Sequence, residues 1–187
     1  MKKIGFCIFA LLGTMTLFAC AQPQSAAESP TIDSVELNID SEVKAVFDLT
    51  NEFRTGSEAY YWNKDDTTKT SLVGTLGKLT LDENLCKAAQ IRANEIVGTW
   101  GHTRPDGSSC FTVLDDNSII YSSAGENIAA GSKKGSDTFL QWKEDDEYYA
   151  GQGHRRNMLG DFTKIGIAYT YDKDSTYKYY WTMILTK

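Results

Sequence analysis

The sequence holds only two histidines, His102 and His154. Each stands in a polar, glycine-containing stretch: Gly101-His102-Thr103-Arg104-Pro105-Asp106-Gly107 and Gly153-His154-Arg155-Arg156-Asn157-Met158-Leu159. Between them, Ala124-Gly125-Glu126-Asn127-Ile128-Ala129-Ala130-Gly131 sets a carboxylate beside a glycine, and Glu144 and Asp145 follow soon after Trp142. Two neutral imidazoles backed by acids suit zinc or another divalent ion, because ring nitrogen binds it well and the carboxylate fixes the tautomer. Water on such an ion becomes acidic enough to attack a substrate near neutral pH. Without a metal, Glu126 and a histidine could form an acid–base pair. A plainer outcome is that each ring bonds a buried acid or a backbone carbonyl and clamps its loop to the sheet. These residues are far apart in the chain, so only tertiary folding can bring them together.

The elements that must position them are legible as periods. From Val43, apolar residues at 43, 46, 47 and 53, with Thr50 neutral, follow helical spacing and end near Thr55-Gly56. The stretch Ser57 to Lys78 reads as an ordered surface excursion, with Tyr60, Tyr61 and Trp62 either packed on the core or exposed for a partner. Asp82 is a good N-cap, and Leu85, Ala88, Ala89, Arg92 and Ile96 continue a helix to about Val97, with Gly98 as its stop. Alanines on one face let a neighbour approach closely. A short helix is expected over Ser109 to Leu114, and Ser136 can cap another that carries Phe139, Leu140 and Trp142. The period then changes. Ile165 to Tyr171 and Tyr179 to Leu185 are β-branched and aromatic, joined by Asp172-Lys173-Asp174-Ser175-Thr176, and read as a hairpin. Helices early and strands late imply a layered α+β domain.

Lys2, Lys3 and the apolar run Ile4 to Phe18 read as an export signal, too short for a comfortable membrane span. Its end, Leu17-Phe18-Ala19-Cys20, resembles a bacterial lipobox in which Cys20 becomes lipidated; Phe18 stands where a small residue is usual, which keeps plain signal cleavage open. Residues 21–41 read as a flexible tether and 42–187 as one domain. A net charge of −6, more acidic still once Lys2 and Lys3 leave, argues against nucleic acid as a partner. With Cys7 gone and Cys20 lipidated, Cys86 and Cys110 remain. In an exported protein that even remainder suggests a disulfide, with two buried thiols as the alternative. His-Glu-x-x-His, Gly-x-Ser-x-Gly and phosphate-loop patterns are absent. Asn127 and Asn157 are expected to pin turns, and Arg104 and Arg155 to be surface partners of acids.

The first helix (Val46 to Arg54), Leu79-Thr80-Leu81-Asp82-Glu83-Asn84-Leu85, the three polar motifs and Tyr180-Trp181-Thr182-Met183, in that order, resemble the CAP superfamily. This is the group of cysteine-rich secretory proteins, antigen 5 proteins and pathogenesis-related proteins, here in its bacterial SCP-domain form. The resemblance implies an α-β-α sandwich and a central groove of two histidines and two acids. The matching positions are His102, Glu126, His154 and, three residues after Trp142, Asp145, with Glu144 as a competing neighbour. It implies a binding module for a small-molecule, lipid or protein ligand; the N-terminal segment adds export and a lipid tether to a membrane, and the imidazole chemistry makes His102 and His154 the metal ligands if zinc is used. The alternatives are a metal-assisted hydrolase of peptide or cell-wall material, with Glu126 or Asp145 as general base, and an adhesive surface protein using Tyr60, Tyr61 and Trp62.

Overall fold

The structure, a computed structural model, describes residues 40–187. The expected signal peptide, the expected lipidation at Cys20 and the expected tether as far as residue 39 lie outside the described residues. Six strands and five helices follow: α1 (Ser41–Thr55), β1 (Tyr60–Trp62), β2 (Lys69–Ser71), β3 (Thr80–Leu81), α2 (Glu83–Gly98), α3 (Thr112–Asp116), β4 (Ala124–Ala130), α4 (Gly135–Lys143), α5 (Gly153–Met158), β5 (Lys164–Tyr171) and β6 (Tyr179–Thr186). The main sheet runs β3-β5-β6-β4; β3 lies parallel to β5 and the other pairs are antiparallel.

Strand alternation divides the molecule into three layers. Ile165 and Ile167 of β5 and Trp181, Met183 and Leu185 of β6 point to one face. There they join Val43, Val46 and Phe53 of α1 and Phe139 and Trp142 of α4 in one buried cluster. Ala168 and Ile184 point to the other face, against Leu85, Ala88 and Ala89 of α2 and Val113 and Leu114 of α3. The expected α-β-α sandwich is therefore the observed fold. The alanine stripe works as its composition suggests: α2 lies so close that a Cβ on Gly166 of β5 would fall 2.4 Å from the Leu85 carbonyl oxygen.

Asp82 caps α2 as expected, its carboxylate accepting from the Asn84 and Leu85 N–H groups at 2.9 and 3.1 Å. Asp40 does the same for α1, accepting from Glu42 and Val43. Ser136 does not cap α4. The helix starts one residue earlier, and the Gly135 N–H is met instead by Glu42 Oε2 of α1 at 2.8 Å. A side chain at Gly135 would collide with that helix, its Cβ only 2.0 Å from the Glu42 carbonyl oxygen.

The excursion after α1 is a small hairpin, β1 with β2. Its aromatics are packed rather than free. Tyr61 joins the core, while Lys69 Nζ sits 4.0 and 4.2 Å from the Tyr60 and Trp62 ring centres, and the Arg155 guanidinium lies 4.6 Å from Tyr60.

Candidate functional site

The site forms along β4, an edge strand of the sheet. Glu126 and Asn127 are neighbours on that strand, so their side chains leave it on opposite faces. Glu126 turns to the α2 side and Asn127 to the side of α5.

On the α2 side, Arg92 is fully buried and Glu126 nearly so. Arg92 Nε donates to Glu126 Oε2 at 2.8 Å, its Nη1 to Glu95 Oε2 at 2.6 Å and its Nη2 to the Gly101 carbonyl at 2.8 Å. Gly101 has φ +139°, a conformation that L side chains rarely adopt. The turn it makes delivers His102, whose Nδ1 lies 2.7 Å from Glu126 Oε1. Burial opposes charge on Glu126, but the bonds from His102 and Arg92 and their attraction outweigh it and hold its pKa below the ordinary carboxylate value. Arg104 is no idle surface group either. It grips Glu95 through Nε and Nη2 at 3.0 and 2.8 Å, and Asp116 through Nη1 at 2.6 Å.

On the other side, Trp142 is buried and donates from Nε1 to the Ile128 carbonyl of β4 at 3.1 Å, which fixes α4 against the edge strand. That helix ends at Lys143, and Glu144 takes the left-handed conformation at φ +51°. Its carboxylate then faces the start of α5, meeting His154 Nδ1 at 2.5 Å and the Arg155 N–H at 3.1 Å. The asparagines hold α5 to the strand rather than pinning turns. Asn127 Nδ2 donates to the His154 carbonyl at 3.1 Å, and Asn157 Nδ2 to the Glu126 carbonyl at 3.1 Å. One dipeptide of β4 thus anchors both histidines, His102 by a carboxylate and His154 through its backbone.

Further sequence expectations change. Asp145 is not the acid behind His154: it pairs with Arg155 Nη1 and Lys143 Nζ, each at 2.8 Å. The left-handed residue that ends α4 sends Glu144 toward the imidazole and leaves its neighbour to the fully buried Arg155. That arginine is a scaffold, not a surface group; it also donates to the Tyr60, Glu58 and Lys143 carbonyls. Cys86 and Cys110 are both free, with no disulfide between them. Cys86 is half-buried on α2, and Cys110 lies beside Glu126. Cys86 is six residues, about 9 Å of helix rise, before Arg92, the part of α2 that reaches Glu126. Burial first, then the Glu126 charge, push the Cys110 thiol up to about 12.

Sequence reasoning missed Gln152. Buried, it accepts from the Trp62 N–H at 2.8 Å and donates to the Glu144 carbonyl at 3.2 Å, linking the β1–β2 hairpin to the acid behind His154. Arg92 did carry a signal, since a guanidinium on the apolar stripe of α2 requires a buried acid.

A His102 ring nitrogen, Cys110 Sγ and a Glu126 oxygen lie within 4.8 Å of one another. As a metal centre this trio fits poorly, because the carboxylate is already shared with the Arg92 guanidinium. The imidazoles fit better. Each gives Nδ1 to a carboxylate, the arrangement that orients a ligating histidine, and keeps Nε2 uncommitted among the described residues. His154, Glu144, Trp100, Leu140 and Tyr177 line an open groove of about 670 Å³.

The Cysteine-rich secretory protein family model matches residues 47–185. YkwD of Bacillus subtilis is 28% identical over 154 residues, covering 81% of this chain and 51% of that protein; the chain thus spans about half the length of this relative. An extracellular SCP-domain protein from Bacillus anthracis aligns at TM-score 0.56 and 22% identity, over 78% of this chain and 40% of that one. An outer surface protein from Borrelia burgdorferi aligns at TM-score 0.58 and 18% identity, over 80% of this chain and 96% of that one. With the three layers, the ordered motifs and a family match over most of its length, this chain belongs to the CAP family of cysteine-rich secretory proteins.

Proposed function

We propose that the protein is an exported CAP-domain binding module whose groove, beside His154, captures a ligand, and that His102 and His154 offer Nε2 to a divalent ion such as zinc. The observation that carries this is the pairing of each ring, through Nδ1, with its own buried or half-buried carboxylate. Such pairs orient the free nitrogens and leave them available to a ligand. When bound, an ion there supplies a Lewis-acidic anchor for a ligand oxygen or nitrogen. Export agrees with the signal expected at the N-terminus and with the extracellular and outer-surface descriptions of the structural relatives.

A hydrolase would need a base. Glu126 is committed to Arg92, and Asp145 to Arg155 and Lys143. Cys110, held as a neutral thiol, is a poor nucleophile. Capture therefore suits the groove better than turnover. Calorimetric titration of zinc into metal-stripped protein, beside the His102→Ala/His154→Ala variant, tests the metal part. One-to-one binding lost in the variant is expected; absence of binding in the parent protein, or binding unchanged in the variant, would sink it.

A further inference from the structure

The groove beside His154 is lined by two unlike sets of side chains. One is aromatic and apolar: Trp100, Leu140 and Tyr177, which remain 56, 59 and 56% exposed. Large apolar groups left open in this way need a reason. The two aromatics are also braced. The buried Tyr180 ring stands edge-on to both, at 6.4 Å from Trp100 and 6.2 Å from Tyr177, and the Tyr177 N–H meets its hydroxyl at 3.4 Å. Side chains already braced lose little further freedom on binding.

The other set is acidic. Glu144, Asp145, Asp146 and Glu147 form it, and no lysine or arginine lines the groove. Glu144 faces His154, and Asp145 answers Arg155 and Lys143. Asp146 and Glu147 are exposed and, among the described residues, have no cationic partner. Glu147 lies against the groove, because Gly151 has no side chain there; a Cβ at that position would fall 2.2 Å from Glu147 Oε2. Two uncompensated negative charges thus share a groove with two braced aromatic rings.

We infer that this groove binds a basic peptide segment. The ammonium or guanidinium heads of the segment answer Asp146 and Glu147. Its aliphatic stems lie on Leu140 and Ile128, and the faces of Trp100 and Tyr177 add cation–π attraction. An acidic peptide is repelled by the same carboxylates. The inference rests on the groove being the binding surface of the module proposed above, and it needs no metal.

The test is fluorescence anisotropy with a labelled short peptide alternating lysine and leucine, against its glutamate–leucine counterpart, on the purified chain. The comparison includes Asp146→Asn/Glu147→Gln and Trp100→Ala variants, all at exposed positions that leave the fold intact by circular dichroism. The lysine peptide binds and the glutamate peptide does not, and affinity falls as salt is raised. The charge variant binds about tenfold more weakly and Trp100→Ala about threefold more weakly. Equal binding of both peptides, no binding of the lysine peptide, or affinity untouched by either variant would overturn the inference. So would spermine displacing the peptide equally well from the parent protein and from Trp100→Ala, since that is bare charge attraction. The zinc titration separates the two readings. Peptide bound with this pattern while zinc is not leaves the basic-segment reading standing and removes the metal; zinc bound while the peptide is not does the reverse.

Discussion

Glu126 is the residue on which most of the site depends, because one buried carboxylate satisfies both a histidine and a fully buried arginine. Taking two charges out of water is costly, and removing one partner leaves the other exposed to that cost without compensation. Glu126→Gln is therefore expected to destabilise the fold by about 3 kcal/mol in urea unfolding near neutral pH. Glu95 still holds one arm of Arg92, so a loss below about 0.5 kcal/mol would mean that this second acid alone carries the guanidinium. The free thiols make a separate prediction. Cys110 is buried with its pKa pushed up to about 12, so alkylation of native protein near neutral pH leaves it unmodified, while unfolding without reductant exposes both Cys86 and Cys110 to label. If the peptides carrying them stay linked and unlabelled after unfolding, a disulfide joins them after all.

At the scale of elements, close contact between α2 and β5 is the tightest constraint. Ala88 and Ala89 bring the helix down onto Gly166, where there is no room for a methyl group. Gly166→Ala should lower stability by about 2 kcal/mol, visible as an earlier urea midpoint with an unchanged slope. Gln152 acts between elements. Gln152→Ala frees the Trp62 N–H and the Glu144 carbonyl together, and should weaken zinc binding about threefold while leaving the sheet intact, as expected of a positioning residue. An unchanged zinc affinity would detach the hairpin from the site. The elements themselves were largely legible because their signals are local. The 3.6-residue stripe of α2, its Asp82 cap, and the alternation of β5 and β6 all follow from neighbouring residues. The misreadings fall where no such signal exists: the cap of α4 arrives from Glu42 on another helix. Glu144 rather than Asp145 faces His154 because a single left-handed residue ends α4, and no period in the sequence marks that turn.

Across the whole molecule, buried and half-buried carboxylates tie the layers together, and they make stability depend on pH in a defined direction. Glu126 joins β4 to α2, Glu95 joins α2 to Arg104, and Asp82 caps α2 and meets Lys164 of β5. In each case burial opposes the charge, yet hydrogen bonds from the cationic partners and nearby N–H groups outweigh it and lower the folded-state pKa. A carboxyl group whose folded pKa is depressed contributes stability above its unfolded value, and that contribution is lost as pH falls through the folded value. The ordinary values are 4.5 for glutamate and 3.8 for aspartate. Unfolding free energy should therefore fall steadily once pH drops below about 4.5, because the unfolded chain takes up protons that the folded one resists. Arg92 keeps its charge across this range, so protonating Glu126 strands a buried cation. The fall should accordingly be shallower in Glu126→Gln, which begins less stable but has one fewer group to protonate. Urea titrations at stepped pH on both proteins measure this directly, and parallel curves for the two would show that Glu126 is not among the carboxylates linking stability to pH.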